Sequence, residues 1–151
     1  MFSGILALFQ GEDKFTTPLP AADARNALGA LLVRAAKADK AYLFEEVEQI
    51  DAVLIKLYDL NPVEAAKMRA GCEKLEEEMP VTEDLAGILH DAISQEDREA
   101  AVAALWSVVF ADGEEREEAL LHAIEGALGV SPEVSKRLHD AEMAKLPKKR
   151  V

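Results

Sequence analysis

Apolar residues recur along this chain at three- and four-residue intervals, and no segment alternates apolar with polar over the length of a strand. A stripe of that period buries one face of a helix, whereas a half-buried strand needs a period of two. Leu28, Leu31, Leu32 and Ala35 form the first stripe, at i, i+3, i+4 and i+7. Val47, Ile50, Leu54 and Leu57 form the second, Ala65, Met68, Cys72, Leu75 and Met79 the third, and Leu85, Ile88, Leu89 and Ala92 the fourth. Val102, Leu105, Trp106 and Val109 follow, then Leu120, Leu121, Ile124 and Leu128, then Val134, Leu138 and Ala141. The pattern predicts an all-α domain of six to eight helices with no sheet. Trp106, Leu32, Val109, Leu54 and Ile124 should be buried together.

The ends of the stripes carry their own chemistry. In Asn61-Pro62-Val63-Glu64, Asn61 can cap a helix, Pro62 suits its first position, and Glu64 can reach back to the cap amide. Ser94 with Asp97, and Ser131 before Pro132, open two further helices, while Gly129 and Pro80 follow helix ends. The chain also repeats itself. Ala38-Asp39 returns as Ala111-Asp112, 73 residues on, and Asn61-Pro62 returns as Ser131-Pro132, 70 residues on. Two copies suit a pair of helical units about a pseudo-two-fold axis, not a solenoid. The expected organisation is a short helix and linker over 1–20, a helical domain over 21–144, and a basic tail over 145–151.

Charge narrows the partners. Lys and Arg number 17 against 29 Asp and Glu, a net charge of −12. That field repels phosphate backbones, so no nucleic-acid partner is expected; a basic protein surface or a cation would be attracted. No apolar run approaches the ~20 residues of a membrane span, and the opening Met1 to Phe9 has no basic leader, so a cytoplasmic protein is expected. Phe2, Ile5, Leu6 and Phe9 share one helical face, which would dock on the body of the protein or on a partner or membrane surface. The single cysteine, Cys72, has no His or basic neighbour in sequence and reads as a small buried hydrophobe.

One constellation could carry chemistry. Each copy places an Asp in a turn and Glu residues at the next helix start: Asp39 with Glu45 and Glu46, then Asp112 with Glu114, Glu115, Glu117 and Glu118. Turn preference and the helix dipole account for such acids without any ligand. If the two turns face each other, their oxygens could instead gather a hard cation such as Ca²⁺ or Mg²⁺. The spacing of an EF-hand, a Glu-x-x-His di-iron motif, H-E-x-x-H, C-x-x-C, G-x-S-x-G and a phosphate loop are all missing, so no enzyme is expected. Glu118 and His122, at i and i+4, should form a surface pair.

The duplicated Ala-Asp turn, the acidic helix starts and the run Leu105-Trp106-x-Val108-x-x-Ala111-Asp112-Gly113 resemble the tellurite-resistance TerB-like family. The opening Met1-Phe2…Leu6-x-Leu8-Phe9-x-Gly11, with Leu31-Leu32-Val33-x-x-Ala36-x-Ala38-Asp39, is similar to its stand-alone bacterial branch. The resemblance runs from about Met1 to Ala144. It implies two pseudo-symmetric helical halves, an association with tellurite resistance and stress response, and an acidic, metal-chelating surface. By position, the metal residues it implies are Asp39, Glu45, Glu46, Asp112, Glu117 and Glu118. The chain departs from the family pattern at Lys40, where the first copy usually has Gly, and in a shortened second turn from Gly113 to Arg116. The expectation is a non-enzymatic module that binds a protein partner or scaffolds an assembly, a membrane-associated one included, through its acidic surface. The alternative is a divalent-metal-binding or metal-sensing protein, with Ca²⁺ or Mg²⁺ as its one cofactor.

Overall fold

The structure, a computed structural model, describes residues 19–38, 42, 44–111 and 119–145. The short helix expected over Met1 to Phe9, most of the linker, and the tail beyond Lys145 lie outside the described residues. Seven helices occupy the rest: α1 (Ala24–Lys37), α2 (Phe44–Tyr58), α3 (Pro62–Glu78), α4 (Thr82–Ala92), α5 (Gln95–Val109), α6 (Ala119–Leu128) and α7 (Pro132–Ala144). There is no strand among the described residues, and the fold is all-α as expected.

The helices start where side chains can satisfy their free amides. Asn61 Oδ1 accepts from Glu64 N at 2.8 Å, and Glu64 Oε1 accepts from Asn61 N at 2.9 Å, a reciprocal capping box behind Pro62. Asp23, Ser94 and Ser131 cap α1, α5 and α7 by accepting from Asn26 N, Asp97 N and Val134 N.

Helix α1 is the hub, packing against α2, α3, α4 and α5. Every residue from Ala27 to Val33 is buried, as a helix surrounded by others must be. Gly29 lets α3 approach closely, because a Cβ there would collide with Cys72 Sγ. Cys72 is itself fully buried, and burial, aided by the carboxylates of Asp23 and Glu73, pushes its thiol up to about 12. At the far end of α1, Arg34 donates to Glu76 Oε2 (3.1 Å), Thr82 Oγ1 (3.2 Å) and the carbonyls of Glu76 and Met79. One guanidinium thus closes the open C-terminus of α3 and fixes the turn into α4.

Trp106, Leu32, Val109, Leu54 and Ile124 all lie in one buried cluster, as their stripes require. Three stripe residues face solvent instead: Leu57, Ala92 and Ala141. Leu57 is 41% exposed, because α2 buries Glu46, Ile50, Val53 and Leu54 and its last turn runs past the core. In α7 the fully inward residue is Ser135, while Val134 and Leu138 are half-buried and Ala141 is exposed.

The repeat is visible in the backbone. Asp59 (φ +54°) and Gly129 (φ +74°) both end a helix in the left-handed region. Leu60 N then donates to Ile55 O (3.3 Å), and Val130 N to Glu125 O (3.0 Å), the six-residue closure of a Schellman motif. The runs Asp59-Leu60-Asn61-Pro62 and Gly129-Val130-Ser131-Pro132 are therefore the same linker used twice. Packing repeats in part: α3 lies on α1 as α7 lies on α5, and α2 on α1 as α6 on α5. The copies diverge where α2 packs along α3, whereas α6 turns instead to α4.

Candidate functional site

Of the six acidic residues expected to hold a metal, Asp39, Asp112, Glu117 and Glu118 lie outside the described residues. The remaining two diverge. Glu45 is exposed and Glu46 is fully buried, as neighbours about 100° apart on a helix should be when one joins the core stripe. Among the described residues no three His, Cys, Asp or Glu side chains converge as a metal would require.

Exposed carboxylates instead gather at the turn from α3 to α4. Glu77 and Glu78 end one helix, Glu83 and Asp84 begin the next, and all four face solvent. Their backbone is held by Arg34 beneath the turn. Glu76 is drawn inward: burial pushes its carboxyl up, but hydrogen bonds and charge from Lys37 and Arg34 together outweigh that and hold it below the usual range.

A second feature opens where the two copies diverge. Between α6 and α7, over the indole of Trp106, lies a cleft of about 620 Å³. Trp106, Gly126, Val130 and Pro132 supply its apolar surface. The carboxylate of Glu125, 6% exposed, stands at its base. Trp106 Nε1 donates to Glu125 Oε2 (3.3 Å), and His122 Nδ1 meets Glu125 Oε1 (3.0 Å). On the α7 wall, His139 Nδ1 meets Asp140 Oδ1 (2.9 Å), and Lys136 Nζ donates to Asp140 Oδ2 (2.8 Å). Both imidazoles stand edge-on to the indole, His139 with its centroid at 4.7 Å and His122 at 6.1 Å, and Phe110 stacks on the indole at 5.4 Å.

An ionised carboxylate can only accept, so Nδ1 is the donor in each of these contacts, and in the neutral tautomer of such a ring Nε2 is an acceptor. The expected pairing of His122 with Glu118 falls partly outside the described residues; within them His122 pairs with Glu125.

Sequence reasoning passed over Glu125, although a signal was there. Leu121, Ile124, Glu125 and Leu128 fall at i, i+3, i+4 and i+7, so Glu125 occupies a core position. Glu46 does the same on α2 with Ile50, Val53 and Leu54. A carboxylate on a core stripe is the informative exception.

The family model described as "Tellurite resistance protein TerB" matches residues 25–140, which spans α1 almost to the end of α7 and includes the cleft. No curated protein and no solved structure matches.

Proposed function

The chain belongs to the tellurite-resistance TerB family, and from that premise we propose that it is a non-enzymatic module that binds a basic protein partner through an acidic face. The observation that carries this reading is the solvent-facing carboxylate cluster Glu77, Glu78, Glu83 and Asp84, on a turn made rigid by Arg34. Four like charges on a fixed turn, in a chain of net charge −12, repel one another and gain from a cationic surface. A photo-crosslinking residue placed at Glu78 or Asp84 in the native host should trap a discrete partner. The same probe at exposed Lys67, ten residues before Glu77 on α3, should not trap it. Reversal of all four carboxylates to Lys should abolish the crosslink while leaving the helical melt intact. Crosslinks that survive the reversal would sink the reading.

A second proposal is a divalent cation held by Asp39, Glu45, Glu46, Asp112, Glu117 and Glu118 in some subset. The observation that favours it is that Glu46 is a carboxylate held out of water, where interaction with positive charge is strongest. The outward Glu45 counts against its being part of that set.

A further inference from the structure

We propose that the α6–α7 cleft is a receptor for an arginine side chain of the partner, a reading that rests on the partner being basic. The cleft is a built concavity: about 620 Å³ is enough for more than one side chain, and its floor is an indole packed against the rings of Phe110 and His139. What it offers a ligand is acceptors. Glu125 has its two oxygens positioned by Trp106 Nε1 and His122 Nδ1, with lone pairs left over. His122 and His139 each turn Nδ1 to a carboxylate, which leaves Nε2 as the ring atom available to a ligand. Asp140 completes the α7 wall.

Acceptors spread over two walls suit a planar guanidinium, whose five N–H groups fan outward, better than the compact ammonium of lysine. The indole, Val130 and Pro132 would hold its aliphatic stem, and an aromatic surface near the cation adds attraction. One positive group is already present. Lys136 is held by Asp140 at 2.8 Å on the rim, and an incoming guanidinium would compete with it for that carboxylate.

Trp106 is the sole tryptophan, so its emission reports on the cleft directly. The probe is an acetylated, amidated Leu-Arg-Leu peptide, titrated into the full chain at fixed ionic strength and followed by Trp106 fluorescence and calorimetry. Saturable one-to-one binding is expected. Citrulline in place of arginine keeps the shape and loses the charge, and should weaken binding at least tenfold; lysine should weaken it several-fold. Glu125→Gln should cost at least tenfold. His139→Phe, which keeps a ring against Trp106, should cost several-fold and guards against a variant that simply fails to fold. Lys136→Gln should tighten binding, and by more than Lys67→Gln, which removes the same charge from exposed α3. Equal effects of the two lysine variants, or citrulline binding like arginine, would overturn the proposal. Agmatine binding as tightly as the peptide would overturn the partner as the source of the cation. Binding that ignores Glu125→Gln but vanishes when Glu77, Glu78, Glu83 and Asp84 are reversed would sink the cleft and leave the acidic-face reading standing. Binding lost on Glu125→Gln but kept on that reversal is the result expected of the cleft, and the crosslinks at Glu78 and Asp84 then decide the acidic-face reading separately.

Discussion

Asp59 and Gly129 occupy equivalent places in the two linkers, yet only one is a glycine. An L residue with positive φ brings its Cβ against its own carbonyl, at roughly 1–2 kcal/mol, and Asp tolerates this better than most. Gly129→Ala should therefore cost about 1–2 kcal/mol. A Cβ there would meet no atom within 4 Å, so that loss is one of backbone conformation alone. Asp59→Gly should stabilise by at most about 0.5–1 kcal/mol, since glycine's larger unfolded entropy offsets part of the relief. Urea denaturation of both variants checks the pair. A neutral Gly129→Ala would mean that the α6–α7 linker relaxes out of the left-handed region at no cost. Gly29 is a different case, because its constraint is space. Gly29→Ala drives a methyl into Cys72 Sγ and should cost about 1–3 kcal/mol. Adding Cys72→Ala, which removes that sulfur, should restore much of the loss. A double variant as unstable as the sum of the singles would place the strain elsewhere than at this contact.

Between elements, the joint that matters most is the one Arg34 makes. It ties α1 to the end of α3 and the start of α4, with Glu76 as the half-buried counter-charge. The carboxyl of Glu76 is held below its unfolded value, so its ion pairs stabilise the fold at pH values above the unfolded carboxylate pKa of about 4.3. That contribution fades as pH falls through the lower, folded value. Glu76→Gln should lower the melting temperature by a few degrees at pH 7, and the gap to the parent should close as pH is lowered towards 3. A gap that stays constant with pH would mean that packing, not charge, is what the substitution removes. This joint also shows what could be read beforehand and what could not. Helix starts were legible because capping is local: Asn61 with Glu64, Ser94 and Ser131 each find an amide three residues on. Stripes were legible where a helix touches the core along its whole length, as in α1 and α5. Leu57 and Ser135 were not, because which turn of α2 or α7 meets a neighbour depends on how long that neighbour is. Arg34 reaching the carbonyls of Glu76 and Met79 spans more than 40 residues, and no local pattern encodes it. The cleft was invisible for the same reason: it exists because α6 packs on α4 where its counterpart α2 packs on α3.

For the whole molecule, the governing quantity is a net charge of −12, which makes any added cation stabilising to some degree. A specific divalent site must be separated from that background. Ca²⁺ or Mg²⁺ bound to the native state alone would raise the melting temperature in a saturable manner, by mass action. Screening of like charges gives a gradual rise that Na⁺ at equal ionic strength reproduces. Two features argue for the second behaviour. Lys40 puts a positive charge next to Asp39, and Glu45 stands in solvent apart from the buried Glu46. Both lower the number of carboxylates free to share one ion, and a hard cation needs six or more oxygens. We therefore expect Ca²⁺ and Mg²⁺ to give no more stabilisation than ionic strength accounts for, and Asp39→Asn with Asp112→Asn to leave the response unchanged. Calorimetry that finds one stoichiometric site at micromolar affinity, lost in the double variant, would reverse this ordering. It would make cation binding the primary activity, with the acidic face then serving the ion before any partner.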